Sequence, residues 1–228
     1  VKKLTAICLL ATLCACHKER VSSNQSSSQT NNQSSSQIQS KGVWPFVKGN
    51  YWAYRDSISQ TGGPLAEESN NDTLKVKDSV TFQLGVYYGP DRVFPNMYYR
   101  EDSNDSTVET YDSHFNQTGI FFQQVDSNNT IVYKNESDQT IYLNGTNKNY
   151  HIVNELIGYT DLATINGYDS CIKNELIQTY SGDTVFKRIM YVKPGTGLVK
   201  MLLYEMKNET PGDLYLNFKR DLLAYKLY

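Results

Sequence analysis

The chain of 228 residues is 39% hydrophobic and 20% charged, with 22 Lys or Arg against 24 Asp or Glu and a formal net charge of −2 at pH 7. From residue 43 onward the balance is more acidic, 17 Lys or Arg against 23 Asp or Glu, which argues against nucleic-acid phosphates or anionic lipid surfaces as general partners. All 18 tyrosines, all 8 phenylalanines and both tryptophans fall in that part, enough aromatic surface for a single folded domain over residues 43–228.

In chain order, residues 1–15 come first and read as a processing segment. Lys2 and Lys3 form a basic start, residues 4–15 are dominated by apolar side chains, and small Ala15 precedes Cys16. Twelve helical residues span roughly 18 Å, short of the ~30 Å hydrocarbon core, so this is not a stable membrane span. The four cysteines are Cys8, Cys14, Cys16 and distant Cys171, an arrangement with neither a C-x-x-C pair nor the pattern of a disulfide framework. Leu13-Cys14-Ala15-Cys16 resembles a bacterial lipobox. That resemblance implies a signal peptide over residues 1–15, palmitate-type acylation of Cys16, and the membrane as a partner through the lipid anchor. Several acyl chains at ~0.8 kcal/mol per buried CH₂ hold a protein on a membrane far better than one chain does. His17-Lys18-Glu19-Arg20 partly resembles the signal that sends such lipoproteins to the cell surface, with Arg20 where another acid is preferred. The expected location is the outer membrane, with its surface and periplasmic faces both open.

Residues 16–42 form the next unit. Eighteen of the twenty residues from 21 to 40 are Ser, Gln, Asn or Thr, and "NQSSSQ" occurs twice. Such a stretch buries too little apolar surface to offset its ordering entropy, which predicts a disordered tether with a typical reach of roughly 25–30 Å.

Beyond residue 42, short runs rich in Tyr, Val, Ile, Phe and Thr recur every ten residues or so between turn residues. The period-two runs Leu214, Leu216, Phe218 and Leu223, Tyr225, Leu227 each define a buried face. Asn144-Gly145, Asn166-Gly167, Ser181-Gly182-Asp183 and Pro211-Gly212-Asp213 supply turns suited to hairpins. The fold class is therefore all-β: an antiparallel meander forming a curved open sheet or half-barrel, with at most one short helix. Ile152, Leu156 and Tyr159 place the helix candidate at residues 150–162.

Residues 44–57, "WPFVKGNYWAYRDS", are similar to the P-x-x-x-G-N-x-W-x-Y opening of many uncharacterised lipoproteins of the Bacteroidota. Gly167, Tyr168, Asp169, Cys171 and Lys173, and then Pro194-Gly195-Thr196-Gly197-Leu198-Val199-Lys200, resemble later landmarks of that group. The resemblance implies a curved sheet somewhat like periplasmic lipoprotein carriers, and no particular activity. From the residues themselves, Trp52 and Tyr54 project two large rings to one face as core anchors. Pro194, Gly195 and Gly197 lie between two runs that read as strands. That makes them a hairpin corner, because a phosphate loop would be followed by a helix.

Candidate chemistry is sparse. His114 and His151 lack a nucleophile elbow or a second histidine at metal spacing, and Cys171 reads as a small buried hydrophobe. Asp102, Asn104 and Asp105 look superficially like a calcium loop but lack its central glycine, so they read as a solvated turn. No catalytic residue, metal or cofactor is assigned. The Asp-(Ser/Thr) pairs ending at Ser57, Thr73, Ser79, Ser106 and Thr184 resemble the O-glycosylation acceptor pattern of the Bacteroidota, although such pairs also serve turns and strand ends. The expected function is a non-catalytic binding or structural role in the envelope, with a protein or glycan partner. A carrier of acyl ligands is the alternative, and a hydrolase comes third. A carrier needs an apolar concavity, whereas a structural module fills that space with rings such as Trp52 and Tyr54.

Overall fold

The computed structural model describes residues 42–227 apart from 47–48, 60–61, 68–71, 77, 83–84, 90–96 and 103–105. The described residues form fourteen strands and no helix. In chain order these are β1 (Tyr51–Ser59), β2 (Leu65–Glu67), β3 (Asp72–Lys75), β4 (Asp78–Phe82), β5 (Gly85–Gly89), β6 (Met97–Glu101) and β7 (Thr107–Asp112). They continue as β8 (Gln117–Gln123), β9 (Thr130–Leu143), β10 (Thr146–Ile165), β11 (Tyr168–Tyr180), β12 (Asp183–Lys193), β13 (Gly197–Lys207) and β14 (Thr210–Lys226). A large antiparallel sheet runs β2-β1-β14-β13-β12-β11-β10-β9, with β3 also on β1, and curls into a half-barrel. A smaller meander, β4-β5-β6-β7-β8, packs into its concave face. The all-β, antiparallel, curved-sheet expectation holds.

Local chemistry sets the hairpins. Asn144-Gly145, Asn166-Gly167 and Ser181-Gly182 each hold two successive positive φ angles, as the tight two-residue turn between right-twisted strands requires. The β13–β14 turn differs from expectation, because Asn208 and Glu209 take the left-handed positions (φ 49 and 55). Pro211-Gly212-Asp213 instead lies inside β14 as the extra residues between the pairs Lys207↔Thr210 and Met206↔Leu214.

Two further expectations are corrected. The helix candidate at residues 150–162 is part of β10: Ile152, Asn154, Leu156 and Gly158 are buried on one face, while Val153, Glu155 and Ile157 are half-buried on the other. β-branched Ile and Val on both faces favour an extended strand over a short helix. Gly158 is a close approach, since a Cβ there would meet the Val125 side chain. Leu223 and Tyr225 are exposed, and Leu222 is the buried residue. A bulge accounts for Leu222 and Leu223: Ala53 pairs Ala224 but Tyr54 pairs Leu222, which leaves Leu223 as the extra residue, while Tyr225 pairs with Trp52 and is exposed near the end of the strand. Leu227 is partly buried against the core, as expected.

The core lies between the sheets. Trp44, Phe46, Trp52, Tyr99 and Phe121 form a cluster of touching rings, with Trp44 and Trp52 edge to face at 5.9 Å and Phe46 stacked on Tyr99 at 5.7 Å. A satellite cluster of Leu143, Ile152, Tyr180 and Val185 sits towards the hairpin tips. There Glu209 accepts the Asn144 N–H at 2.6 Å, which ties the β13–β14 tip to the β9–β10 tip.

Several polar groups inside the curl have definite partners. Strand β8 is an edge, and side chains of the large sheet satisfy part of its free backbone. Gln123 N–H donates to Asn174 Oδ1 (2.9 Å), Asn174 Nδ2 donates to Gln123 O (3.1 Å), and Arg188 Nη2 donates to Phe121 O (3.0 Å). Asp56 and Arg220 face each other across β1 and β14 as a two-point ion pair at 2.9 Å, each about 1% exposed. Such a buried pair costs most when one member is removed.

Candidate functional site

The landmark residues converge on one corner. Trp52, fully buried, donates its indole N–H to Thr196 O at 2.5 Å, and Gly195 N–H donates to Gly42 O at 2.8 Å. Gly197 has φ 104, and a Cβ there would collide with the Trp44 indole. Pro194-Gly195-Thr196-Gly197 is thus the hairpin corner expected, and it seats both tryptophans. Tyr54, also fully buried, lies against the Arg220 guanidinium at 4.8 Å. Gly167 forms a turn, Asp169 pairs with Lys193, and Cys171 is buried with its thiol directed to Tyr168 O at 3.3 Å. Burial pushes that thiol above its ordinary value, the opposite of an activated nucleophile. Ser170, with φ 55, lies in a bulge between the pairs Ala163↔Cys171 and Ile165↔Tyr168.

Among the acceptor-like residues, Thr73 and Ser79 are exposed, Ser106 and Thr184 are half-buried, and Ser57 is buried at 8% exposure. Asp102 closes its turn by accepting the Ser106 and Thr107 N–H groups, while Asn104 and Asp105 lie outside the described residues. Cys16, the signal segment and all of the tether except Gly42 lie outside them as well.

The histidines stand apart from one another. His114 is exposed in the β7–β8 turn and packs edge-on against Phe115. His151 lies on an open shelf of β9 and β10, with Nδ1 2.9 Å from Asp138 Oδ1 and Nε2 3.7 Å from Glu136. The nearby Thr140 hydroxyl donates to Asn149 rather than to the imidazole. On the outer face, Glu175 is 7% exposed and is held by Lys173 (3.2 Å), Lys187 (3.3 Å) and the Tyr159 hydroxyl (3.1 Å). Burial opposes its ionisation, but the hydrogen bond and charge of Lys173, then Lys187 and Tyr159, outweigh it and hold the carboxyl below its ordinary value. Burial and this carboxylate push the Tyr159 phenol up to about 12.

One concavity combines burial, charge and access. It is a narrow cleft of ≈ 430 Å³, part of it open to solvent, between the core face of the small sheet and the large sheet. Met97, Thr110, Asp112, Gln117, Gly119 and Arg188 are among its lining residues. Arg188 is 4% exposed, its guanidinium stacks 4.4 Å over the Phe121 ring, and its Nε has no hydrogen-bond partner. No described carboxylate pairs with it. Burial lowers its pKa to about 10, which leaves it a cation at neutral pH. Asp112 Oδ1 accepts the His114 and Phe115 N–H groups at 2.8 and 3.3 Å.

Sequence reasoning missed Arg188, although a signal was present. Along β12 it falls in phase with Phe186, Met190 and Val192, a charge at an inward position of an apolar alternation.

No protein-family model matches the chain, and no curated protein matches it. Among solved structures, the chain is similar to a candidate lipoprotein from Parabacteroides distasonis. That match has 13% identity and a TM-score of 0.41, and covers 82% of this chain and 99% of the other. It is also similar to a candidate exported protein with a YmcC-like fold from Bacteroides fragilis, at 11% identity and a TM-score of 0.38, covering 82% of this chain and 100% of that one.

Proposed function

We propose that this protein is a lipid-anchored β-domain of the bacterial envelope, held on the outer membrane through Cys16, with a non-catalytic binding or structural role towards a protein or glycan partner. The observation that carries the non-carrier part of this reading is the filled concavity. Trp44, Phe46, Trp52, Tyr99 and Phe121 occupy the space where a carrier would hold an acyl chain. The lipobox-like Leu13-Cys14-Ala15-Cys16 supports the anchor, and the uncharged run after it supports display of the domain away from the membrane.

Organic extraction of the protein purified from envelopes tests the filled-core reading. All acyl chains should remain covalently bound until hydrolysis. One free fatty acid or phospholipid per chain, recovered without hydrolysis, would overturn it in favour of the carrier.

A further inference from the structure

We propose that the part of the concave face between the small sheet and the hairpin tips binds a short neutral sugar chain, with Asn154, Gln178 and Glu205 reading its hydroxyls and Phe186 receiving a sugar face. This deepens the binding reading above and rests on it, while lipid anchoring plays no part.

Three observations lead to this assignment. First, strand register sets a continuous row of side chains across the inside of the curl. Asn135 pairs with Asn154, Asn154 with Gln178, Gln178 with Phe186, Phe186 with Glu205, and Glu205 with Tyr215. Residues directly opposite each other on antiparallel strands share a face, and neighbouring strands lie about 4.8 Å apart. Gln178 and Glu205 are therefore about 10 Å apart at the backbone with the Phe186 ring between them, a span that a short sugar chain bridges. The small sheet covers the neighbouring rows, through Gln123 on Asn174 and Phe121 on Arg188, and the Glu209–Asn144 bond ties the hairpin tips on the other side.

Second, the row holds hydrogen-bonding capacity that the fold does not use. Gln178 Nε2 donates to Asn154 Oδ1 at 2.8 Å, and the two residues are 6% and 8% exposed. The Asn154 Nδ2 amide group and Gln178 Oε1 have no partner among the described residues, yet both atoms stay open to solvent. Amides buried to this degree are normally satisfied at both ends. A free donor beside a free acceptor matches a hydroxyl, which accepts and donates at once.

Third, Glu205 is half-buried between the Phe186 and Tyr215 rings, both also half-buried, and no cation is paired with it among the described residues. Asn217 is its polar neighbour, and burial disfavours its charge. An acid kept where ionisation opposes folding points to a use beyond folding. A carboxylate that accepts sugar hydroxyls next to a ring that meets the apolar face of the same sugar is such a use. The row contains no cation, so an acidic sugar would meet Glu205 without a counter-charge. An ammonium ligand would suit Glu205 but leave the two amides idle.

The test is nitrogen-15 NMR of the side-chain amides in the full chain, titrated with maltotriose, mannotriose, laminaritriose, cellotriose and triacetylchitotriose. Trigalacturonate and spermidine serve as charged controls. The Asn154 and Gln178 amide signals, assigned by through-bond correlation to their own backbones, should shift saturably with at least one neutral trisaccharide. Trigalacturonate and spermidine should each bind about tenfold more weakly than that sugar, and Glu205→Gln should weaken the sugar about fivefold. Replacing a charge that burial disfavours leaves the domain folded, so weaker binding in that variant reports the site. The proposal is overturned if no neutral trisaccharide moves the two signals saturably, or if either charged control moves them as strongly. It is also overturned if Glu205→Gln binds the sugar as tightly as the wild type. Each of these results would leave the lipid anchor, the filled core and a protein partner standing.

Discussion

Gly197 meets two demands that no other residue meets together: a φ of 104 and an indole ring pressed against its α-carbon. Gly197→Ala should therefore destabilise the domain by about 1–3 kcal/mol, with strain and overpacking added. The urea midpoint of the variant measures this, and an unchanged midpoint would show that the corner is slack. Glu205 carries a different burden. It is half-buried among concave-face residues, and burial raises its pKa against a weaker opposing hydrogen bond from Asn217. An acid whose folded-state value lies above its unfolded value favours folding most at low pH, and that contribution declines as pH rises through the unfolded value towards the folded one. Glu205→Gln should raise the melting temperature at pH 7, and the gain should shrink as pH falls towards about 4. A gain independent of pH would show that ionisation is not the cause. At this scale the sequence was informative about large rings and poor about charges. Trp52 and Tyr54 were legible because big aromatics two apart on a strand have few other uses. Arg188, Asn174 and Arg220 were not, because a polar residue in phase with apolar ones is explained only by a partner from a remote strand.

Among elements, β8 shows how a sheet edge can be hidden inside a fold. Its backbone near Phe121 and Gln123 meets side chains of β11 and β12 where a neighbouring strand would otherwise lie. Asn174→Leu should leave the Gln123 N–H and C=O without these partners, at a cost of at least about 2 kcal/mol despite the extra apolar surface. Faster amide exchange at Gln123 in the folded variant would localise the loss there, and unchanged exchange would contradict the capping role. The hairpins with Asn-Gly or Ser-Gly turns were readable because the tight turn demands two positive φ angles. The β13–β14 turn was misplaced because Asn208 and Glu209 adopt that geometry while Pro211-Gly212-Asp213 is absorbed as a bulge. The same device displaced the buried face near the C-terminus, where one extra residue at Leu223 reverses the alternation. β10 failed as a helix candidate for a related reason. Its apolar residues fall on both faces of a strand in the body of a large sheet, and the helical spacing of Ile152, Leu156 and Tyr159 is a coincidence of that distribution.

The whole molecule joins a curled sheet, filled by a smaller one, to an amino-terminal sequence that resembles a lipoprotein signal. The curl was legible from the recurrence of strands and turns, whereas the two-sheet arrangement was not. Nothing local distinguishes β4–β8 from the strands of the large sheet. Sheet membership is decided by long-range pairing such as that of β1 with β14. On the proposed function, covalent lipid holds the chain at the envelope and the domain does its binding there. The intact mass of the mature polypeptide from native envelopes tests that claim most directly. The expected product is a chain beginning at Cys16 and carrying a diacylglyceryl group and an amide-linked acyl chain. A product with a free Cys16 thiol, or one that keeps residues 1–15, would contradict it.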